Sequence, residues 1–376
     1  MNDTLLPAPV RAAIAAAAGH HDRTGGFPHD NFTLLRDAGL TGLTVPSAQG
    51  GQGAGLAEAA AVIGALGKAC PSTALVLSMQ YLFQRSLARN PRVPPHLAAM
   101  IGRAAVERGA LINALRVEPE LGSPGRGGMP ATTAHRTPAG WALRGHKIYA
   151  TGAPGLTWGL VWAKTDEPAP RLGTFLVPLA SPGTRIVPAW DHLGLRASAS
   201  HDVVFEDVAL PGDHALDLRP PEDWHGRDPE VGVWNAMLLS ALYTGVAHAA
   251  RDWLRGFLRD RKPANLGASL ATLPRMREAM GRIEARLLVN ARLIAQTAAE
   301  ADQGTPLAGT QADLLKTVIA ENAIAAVQDA VALCGNHALA RANPLERHLR
   351  DVLCARIHAP QADQAHVAAG RESLEL

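Results

Sequence analysis

The spacing of apolar side chains changes period twice along this chain, and few folds accommodate such a change. From residue 8 to about residue 110 the apolar positions recur at helical spacing. From 113 to about 217 Pro and Gly become frequent and the repeat shortens toward two. From about 230 onward the helical repeat returns. The pattern predicts a mainly α protein with a β domain in the middle: an N-terminal helical domain over 1–112, a β-barrel or sandwich over 113–218, and a C-terminal antiparallel helical bundle over 219–376.

Within the first block, the segment from Asn31 to Ala38 stops at Gly39. The cluster Gly50-Gly51-Gln52-Gly53 leads into an Ala-rich helix through Leu66, and a further helix covers Ala74 to Arg89, closing before Asn90-Pro91. In the middle block, Trp141–Gly145, Leu160–Lys164, Thr174–Pro178 and His201–Val208 read as strands. In the last block, Ile283, Leu287, Ala291, Ile294 and Ala298 form one helical face. Leu315, Ile319, Ala323, Val327 and Val331 form another. Asn343-Pro344-Leu345-Glu346 resembles a capping box opening a helix that should run to about His358, before Pro360. Asp217 to Asp228 reads as the loop between the β domain and the bundle.

Hydrophobic residues make up 47% of the 376, enough for large cores, while 36 Lys and Arg against 34 Asp and Glu leave no basic footprint for nucleic acid. No stretch reads as a bilayer span, and the N-terminal Ala-rich segment reads as a helix and not as a signal peptide. Cys70, Cys334 and Cys354 show no metal-ligand spacing and read as small buried residues in a reduced, cytoplasmic setting.

Three local motifs carry a resemblance. The first is Val117-Glu118-Pro119-Glu120-Leu121-Gly122-Ser123. The second is Gly145-His146-Lys147-Ile148-Tyr149-Ala150-Thr151-Gly152. The third is Cys334-Gly335-Asn336, followed by Pro344-Leu345-Glu346-Arg347 and Arg350-Asp351. Physically, Gly122 lets backbone approach a planar ligand and Ser123 offers a donor. Tyr149 and Thr151, two apart, would share one face of a strand, an aromatic and a hydroxyl side by side. Gly335-Asn336 suits a helix C-cap, a bare backbone turn facing a pyrophosphate, or both together. Together with their order along nearly the whole chain, these segments resemble the acyl-CoA dehydrogenase superfamily of flavoproteins.

That resemblance implies that the C-terminal domain is a four-helix bundle and that a flavin is held by Val117, Gly122, Ser123, Tyr149 and Thr151. Arg261, Gly335 and Asn336 would then serve the adenylate half, Arg261 reaching a neighbouring subunit's cofactor. It implies FAD, with FMN as the alternative, a homotetramer or homodimer, and an acyl-CoA or other small-molecule substrate. The electron partner would be an electron-transfer flavoprotein or a flavin reductase. The family's catalytic Glu lies eight positions beyond the Arg-Asp pair or, in some relatives, early in the first bundle helix. Here those positions are Ala359 and Asn235. Neither is a base, and Val117 replaces the family's Thr. His358, just before Ala359, resembles the flavin-dependent monooxygenase branch typified by dibenzothiophene monooxygenase, where a His donates to or deprotonates the reacting group. Alternatively His358 merely ends its helix. Three functions stay open: dehydrogenation with a base such as Glu118, Glu120 or Glu230, reductase-dependent oxygenation, and flavin binding without turnover.

Overall fold

The computed structural model describes residues 5–121, 128–224, 228–305, 307 and 309–375. Five helices come first: α1 (Ala8–Thr24), α2 (His29–Asp37), α3 (Leu56–Ala69), α4 (Pro71–Arg89) and α5 (Pro95–Arg108). Eight strands follow: β1 (Leu111–Leu115), β2 (Thr133–Thr137), β3 (Gly140–Lys147), β4 (Leu156–Thr165), β5 (Leu172–Pro178), β6 (Thr184–Val187), β7 (Asp202–Pro211) and β8 (Ala215–Arg219). The chain ends in α6 (Pro229–Asp260), α7 (Pro274–Asp302), α8 (Gly309–Cys334), α9 (Asn336–Leu339), α10 (Leu345–Leu353) and α11 (Ala362–Ser373).

Among the described residues all eight strands join one sheet, ordered β6-β7-β3-β2-β4-β5-β8, with β1 pairing in parallel with β4. The strand expected from His201 starts at Asp202, and β8 takes in Asp217, which the sequence had placed in a loop. Asp217 is buried and bound by Arg219, so its charge does not oppose strand formation.

The centre of the helical part is α6, which touches α3, α4, α7, α8 and α10. Its N-terminus is fixed by the Asp228 carboxylate, which accepts from the Glu230 and Val231 amides. Glycines set its crossing with α3. A Cβ on Gly67 would lie 2.3 Å from the Leu242 carbonyl oxygen, and one on Gly245 would lie 2.4 Å from that of Gly64. Ala at either site would force the two helices apart.

Three expectations need correction. On α7 the buried stripe includes Asn290, which bonds Thr244 and the Ile319 carbonyl, while Ala291 is exposed. A hydrogen-bonded amide here takes the place expected of an apolar residue. The capping box does not form, because Asn343 donates to the His337 carbonyl instead and no side chain caps α10. Finally, α8 is long and apolar enough by composition to cross a membrane. In this structure half of its most apolar stretch is buried, and the helix carries the buried Lys316 just before that stretch.

Candidate functional site

The first two motifs are joined by a buried ion pair. Lys147 Nζ donates to Glu118 Oε1 at 2.6 Å, and both side chains are sealed from solvent. Glu118 also accepts from the Thr132 hydroxyl and from the Ala131 and Thr132 amides. Burial pushes its pKa up, but Lys147, Thr132 and Ala131 outweigh burial and hold it below the carboxylate range. Burial drives Lys147 down to about 8 against the opposing pull of Glu118. The Ile148 amide donates to the Val117 carbonyl, a second tie between the same segments. With every Glu118 oxygen occupied, this residue cannot serve as a free base. Gly122 and Ser123 lie outside the described residues.

Beyond β3 the chain leaves the strand, so the expected alternation of Tyr149 and Thr151 on one strand face does not occur. Tyr149 adopts φ 58° and stands half exposed. The ladder fails because the Ala150 and Gly152 amides turn to the His201 and Ser198 carbonyls. The turn still places the Tyr149 ring edge-on to Trp190 and His192, which stack on each other with centroids 3.7 Å apart. Thr151 accepts from Ser200 at 3.1 Å, and its carbonyl accepts from Asn113 Nδ2 at 3.0 Å. The Thr151 hydroxyl proton has no acceptor among the described residues, so it is available to a ligand.

The loop carrying Trp190 and His192 is anchored to the terminal helix. Asp351 accepts from the Leu195 amide at 2.7 Å, Arg350 donates to the Leu193 carbonyl, and Arg350 also pairs with Asp22 and Glu346. A Cβ at Gly194 would sit 2.3 Å from the Arg350 carbonyl oxygen, so only glycine allows this contact. Burial lifts Asp351 to about 6, moderated by the Leu195 amide.

After α10 the expected helix gives way to a 3₁₀ turn at Cys354–Arg356. In the segment beyond α10, the buried Lys316 ammonium donates to the carbonyls of Ala355, His358 and Pro360 at 2.8, 2.7 and 3.0 Å. Burial depresses Lys316 to about 8. Asn235 Nδ2 donates to a fourth carbonyl of this segment, that of Ala359, at 3.0 Å. Thus the two positions where the resemblance puts a Glu, 124 residues apart in sequence, touch in space, and neither carries a carboxylate. Beside them His358 Nδ1 lies 2.5 Å from the hydroxyl of the buried Tyr243. Burial, aided by the Lys316 charge, lowers His358 to about 4, so its imidazole is neutral at physiological pH. Of the other proposed bases, Glu230 pairs with Arg85 and Arg89, and Glu120 lies exposed in a turn.

Sequence reasoning missed Tyr243, Lys316 and Asn113. Only Lys316 left a legible signal, as a charge on the apolar stripe Ala312, Ile319, Ala320 and Ala323.

Arg261 lies at the far end of α6, exposed, and lines a surface depression of about 500 Å³ with Trp253, Phe257 and Asp260. The Phe257 ring meets His337, centroids 5.1 Å apart, so the Arg261 end of α6 and the Gly335-Asn336 turn share one end of the bundle. Gly335 holds φ 54°, with open space where a Cβ would project. From Asn235 to Arg261 the helix climbs roughly 39 Å at 1.5 Å per residue. The two ends of α6 therefore face separate sites within one subunit.

With this geometry in place, comparison with known proteins is decisive for the class. Models of the acyl-CoA dehydrogenase N-terminal, middle and C-terminal domains match residues 8–90, 117–208 and 237–362. The chain belongs to the acyl-CoA dehydrogenase family. It is 30% identical over 352 residues to the putative acyl-CoA dehydrogenase YdbM of Bacillus subtilis (strain 168), covering 93% of this chain and 90% of that one. It is 31% identical over 364 residues to L-evernosamine nitrososynthase of Micromonospora sp. (strain ATCC 39149 / NRRL 15099 / SCC 1413), covering 92% and 83%. Among solved structures, KijD3 in complex with dTDP superposes with TM-score 0.84 at 29% identity, over 99% of this chain and 96% of that one.

Proposed function

We propose that this protein is a flavin-dependent monooxygenase of the acyl-CoA dehydrogenase family, supplied with reduced flavin by a separate reductase. One observation carries the reading: Asn235 and Ala359, the two positions where a dehydrogenase would keep its base, are hydrogen-bonded to each other and hold no carboxylate. Proton abstraction beside a thioester needs a positioned base. Asp351, the buried carboxylate on the adjoining helix, is held by the Leu195 amide and sealed from solvent.

The residues fit a flavin. Tyr149 offers an exposed aromatic edge, and Thr151 a hydroxyl with its proton free, braced by Asn113 and Ser200. Bound and reduced, the flavin supplies the electrons that activate oxygen. The chain's part is to seat the ring against Tyr149 and Thr151 and to keep His358 neutral and oriented beside the reacting atoms. FAD is the cofactor proposed, with FMN as the alternative; a related structure, KijD3 at 29% identity, was determined with FMN. The roughly 39 Å between Asn235 and Arg261 supports an assembly in which Arg261, Gly335 and Asn336 serve a neighbouring subunit's flavin. Exposed Leu288, Val289 and Val318 supply apolar surface for such a homotetramer or homodimer. The substrate is a small molecule. Amines are the first class to try, because KijD3 was determined with a dTDP-linked 3-amino sugar and the nitrososynthase takes its name from an amine.

Thr151→Val is expected to weaken flavin binding roughly threefold to tenfold, the worth of one hydrogen bond. Flavin content after dialysis measures this, and unchanged content removes Thr151 from the site. For the reaction itself, the test offers the flavin-loaded protein acyl-CoA thioesters in one arm, and reductant with oxygen in the other.

A further inference from the structure

Tyr243 and His358 together determine which ring nitrogen carries the proton. Tyr243 lies inside the bundle on α6, 1% exposed, and its hydroxyl has no partner among the described residues except His358 Nδ1 at 2.5 Å. A phenol has one proton to place, and a buried hydroxyl without an acceptor is unfavourable. If His358 Nδ1 carried the ring proton and donated to the phenol, the Tyr243 proton would have no acceptor. If Tyr243 donates to a bare Nδ1, both groups are satisfied, and the ring proton resides on Nε2. Among the described residues His358 Nε2 has no hydrogen-bond partner, and it keeps some solvent-accessible surface.

The backbone under the ring is held as firmly. Lys316 from α8 binds three carbonyls between residues 355 and 360, and Asn235 from α6 binds a fourth. The charged and titratable groups facing His358 and Tyr243 are Lys316 from α8 and Asp351 with Cys354 from the terminal segment. Lys316 disfavours a second positive charge on the imidazole, which keeps the ring neutral and the tautomer meaningful.

We propose that Tyr243 locks His358 in the Nε2–H tautomer, so that His358 meets the oxygen reacting at the flavin as a hydrogen-bond donor and not as a base. Lys316 and Asn235 are the positioning residues that aim it. This rests on the oxygenase reading and deepens it. Tyr243 touches no reacting atom; it acts through His358.

The test uses the flavin-loaded full chain, labelled with histidine carrying 15N at Nδ1, in magic-angle-spinning spectra at neutral pH. Subtracting the His358→Gln spectrum isolates the His358 signal. The expected result is an unprotonated Nδ1 in the native protein and a mixture of both tautomers in Tyr243→Phe, an isosteric change that keeps the ring packing. Tyr243→Phe should also raise the share of oxygen released as hydrogen peroxide about threefold or more, at unchanged flavin content. A protonated Nδ1 in the native protein overturns the proposal, as does a single unchanged tautomer in Tyr243→Phe. The spectrum does not depend on turnover. A protonated Nδ1 in a protein that oxygenates defeats the tautomer assignment alone, whereas an unprotonated Nδ1 in a protein that consumes no oxygen defeats the oxygenase reading alone.

Discussion

His358→Ala is expected to lower product formation by roughly 10²–10⁴-fold, the range for a positioned acid–base side chain, while flavin content stays near that of the native protein. The oxygen still consumed should leave as hydrogen peroxide. The expectation follows from geometry. His358 is a titratable side chain placed beside Asn235 and Ala359, its Nδ1 is engaged by Tyr243, and its Nε2 is left for a ligand, whereas the nearby Lys316 ammonium is taken up by backbone carbonyls. Stability should fall only moderately: the buried Tyr243 hydroxyl loses its partner, at a cost of roughly 1–3 kcal/mol, while the segment under the ring stays held by Lys316 and Asn235 through its backbone. The measurement is product and peroxide per mole of oxygen consumed. Unaltered coupling would leave His358 only the role of a buried partner for the Tyr243 hydroxyl.

The second large effect is expected at Glu118. Removing it by Glu118→Ala strands the Lys147 ammonium, which is 0% exposed, in the interior. Breaking a buried pair from one side costs roughly 3–5 kcal/mol. The same change frees the Thr132 hydroxyl and two amides from their acceptor. Because Glu118 and Lys147 tie together the two segments proposed to hold the flavin, cofactor should be lost along with stability. Denaturant midpoint and flavin content after gel filtration should fall together. The double variant Glu118→Gln with Lys147→Met removes both charges and is expected to recover much of the stability, since replacing a buried pair outright is often neutral. If Glu118→Ala unfolds at the native midpoint, the ion pair does not hold the site.

The outline of the fold was legible because period survives tertiary packing. The α2 stop at Gly39, the end of α4 before Asn90-Pro91 and the core of β4 and β5 are local in cause, set by turn residues and alternation. What failed was non-local. Tyr149 and Thr151 read as a strand pair, but the Ala150 and Gly152 amides bond a loop some fifty residues away, and no local pattern foretells that. The last helix read as running to His358, but it ends at Leu353, and Lys316 from another helix holds three carbonyls of the segment beyond it. Asn343 read as a cap because its identity and spacing suit one; His337 claims it instead.

The candidate site divides the same way. His358, Asn235, Tyr149 and Thr151 were found by position in motifs, and the structure brings His358 next to Asn235, and Tyr149 next to Thr151. Tyr243 carries no sequence signal of its own inside an apolar helix; only its hydroxyl partner makes it chemically distinct. Asn113 was passed over because an Asn inside a five-residue strand gives no spacing signal, yet it braces the Thr151 carbonyl.

The claim that this site activates oxygen and does not abstract a proton beside a thioester is tested most directly by watching the flavin absorbance. The purified protein, its cofactor identified after release, is mixed anaerobically with a panel of acyl-CoA thioesters. In a second arm the flavin is reduced by a partner reductase and mixed with oxygen. No thioester is expected to bleach the flavin, and oxygen consumption in the second arm should be rapid. Bleaching by a thioester would contradict the claim, because a base would then act where Asn235 and Ala359 leave none.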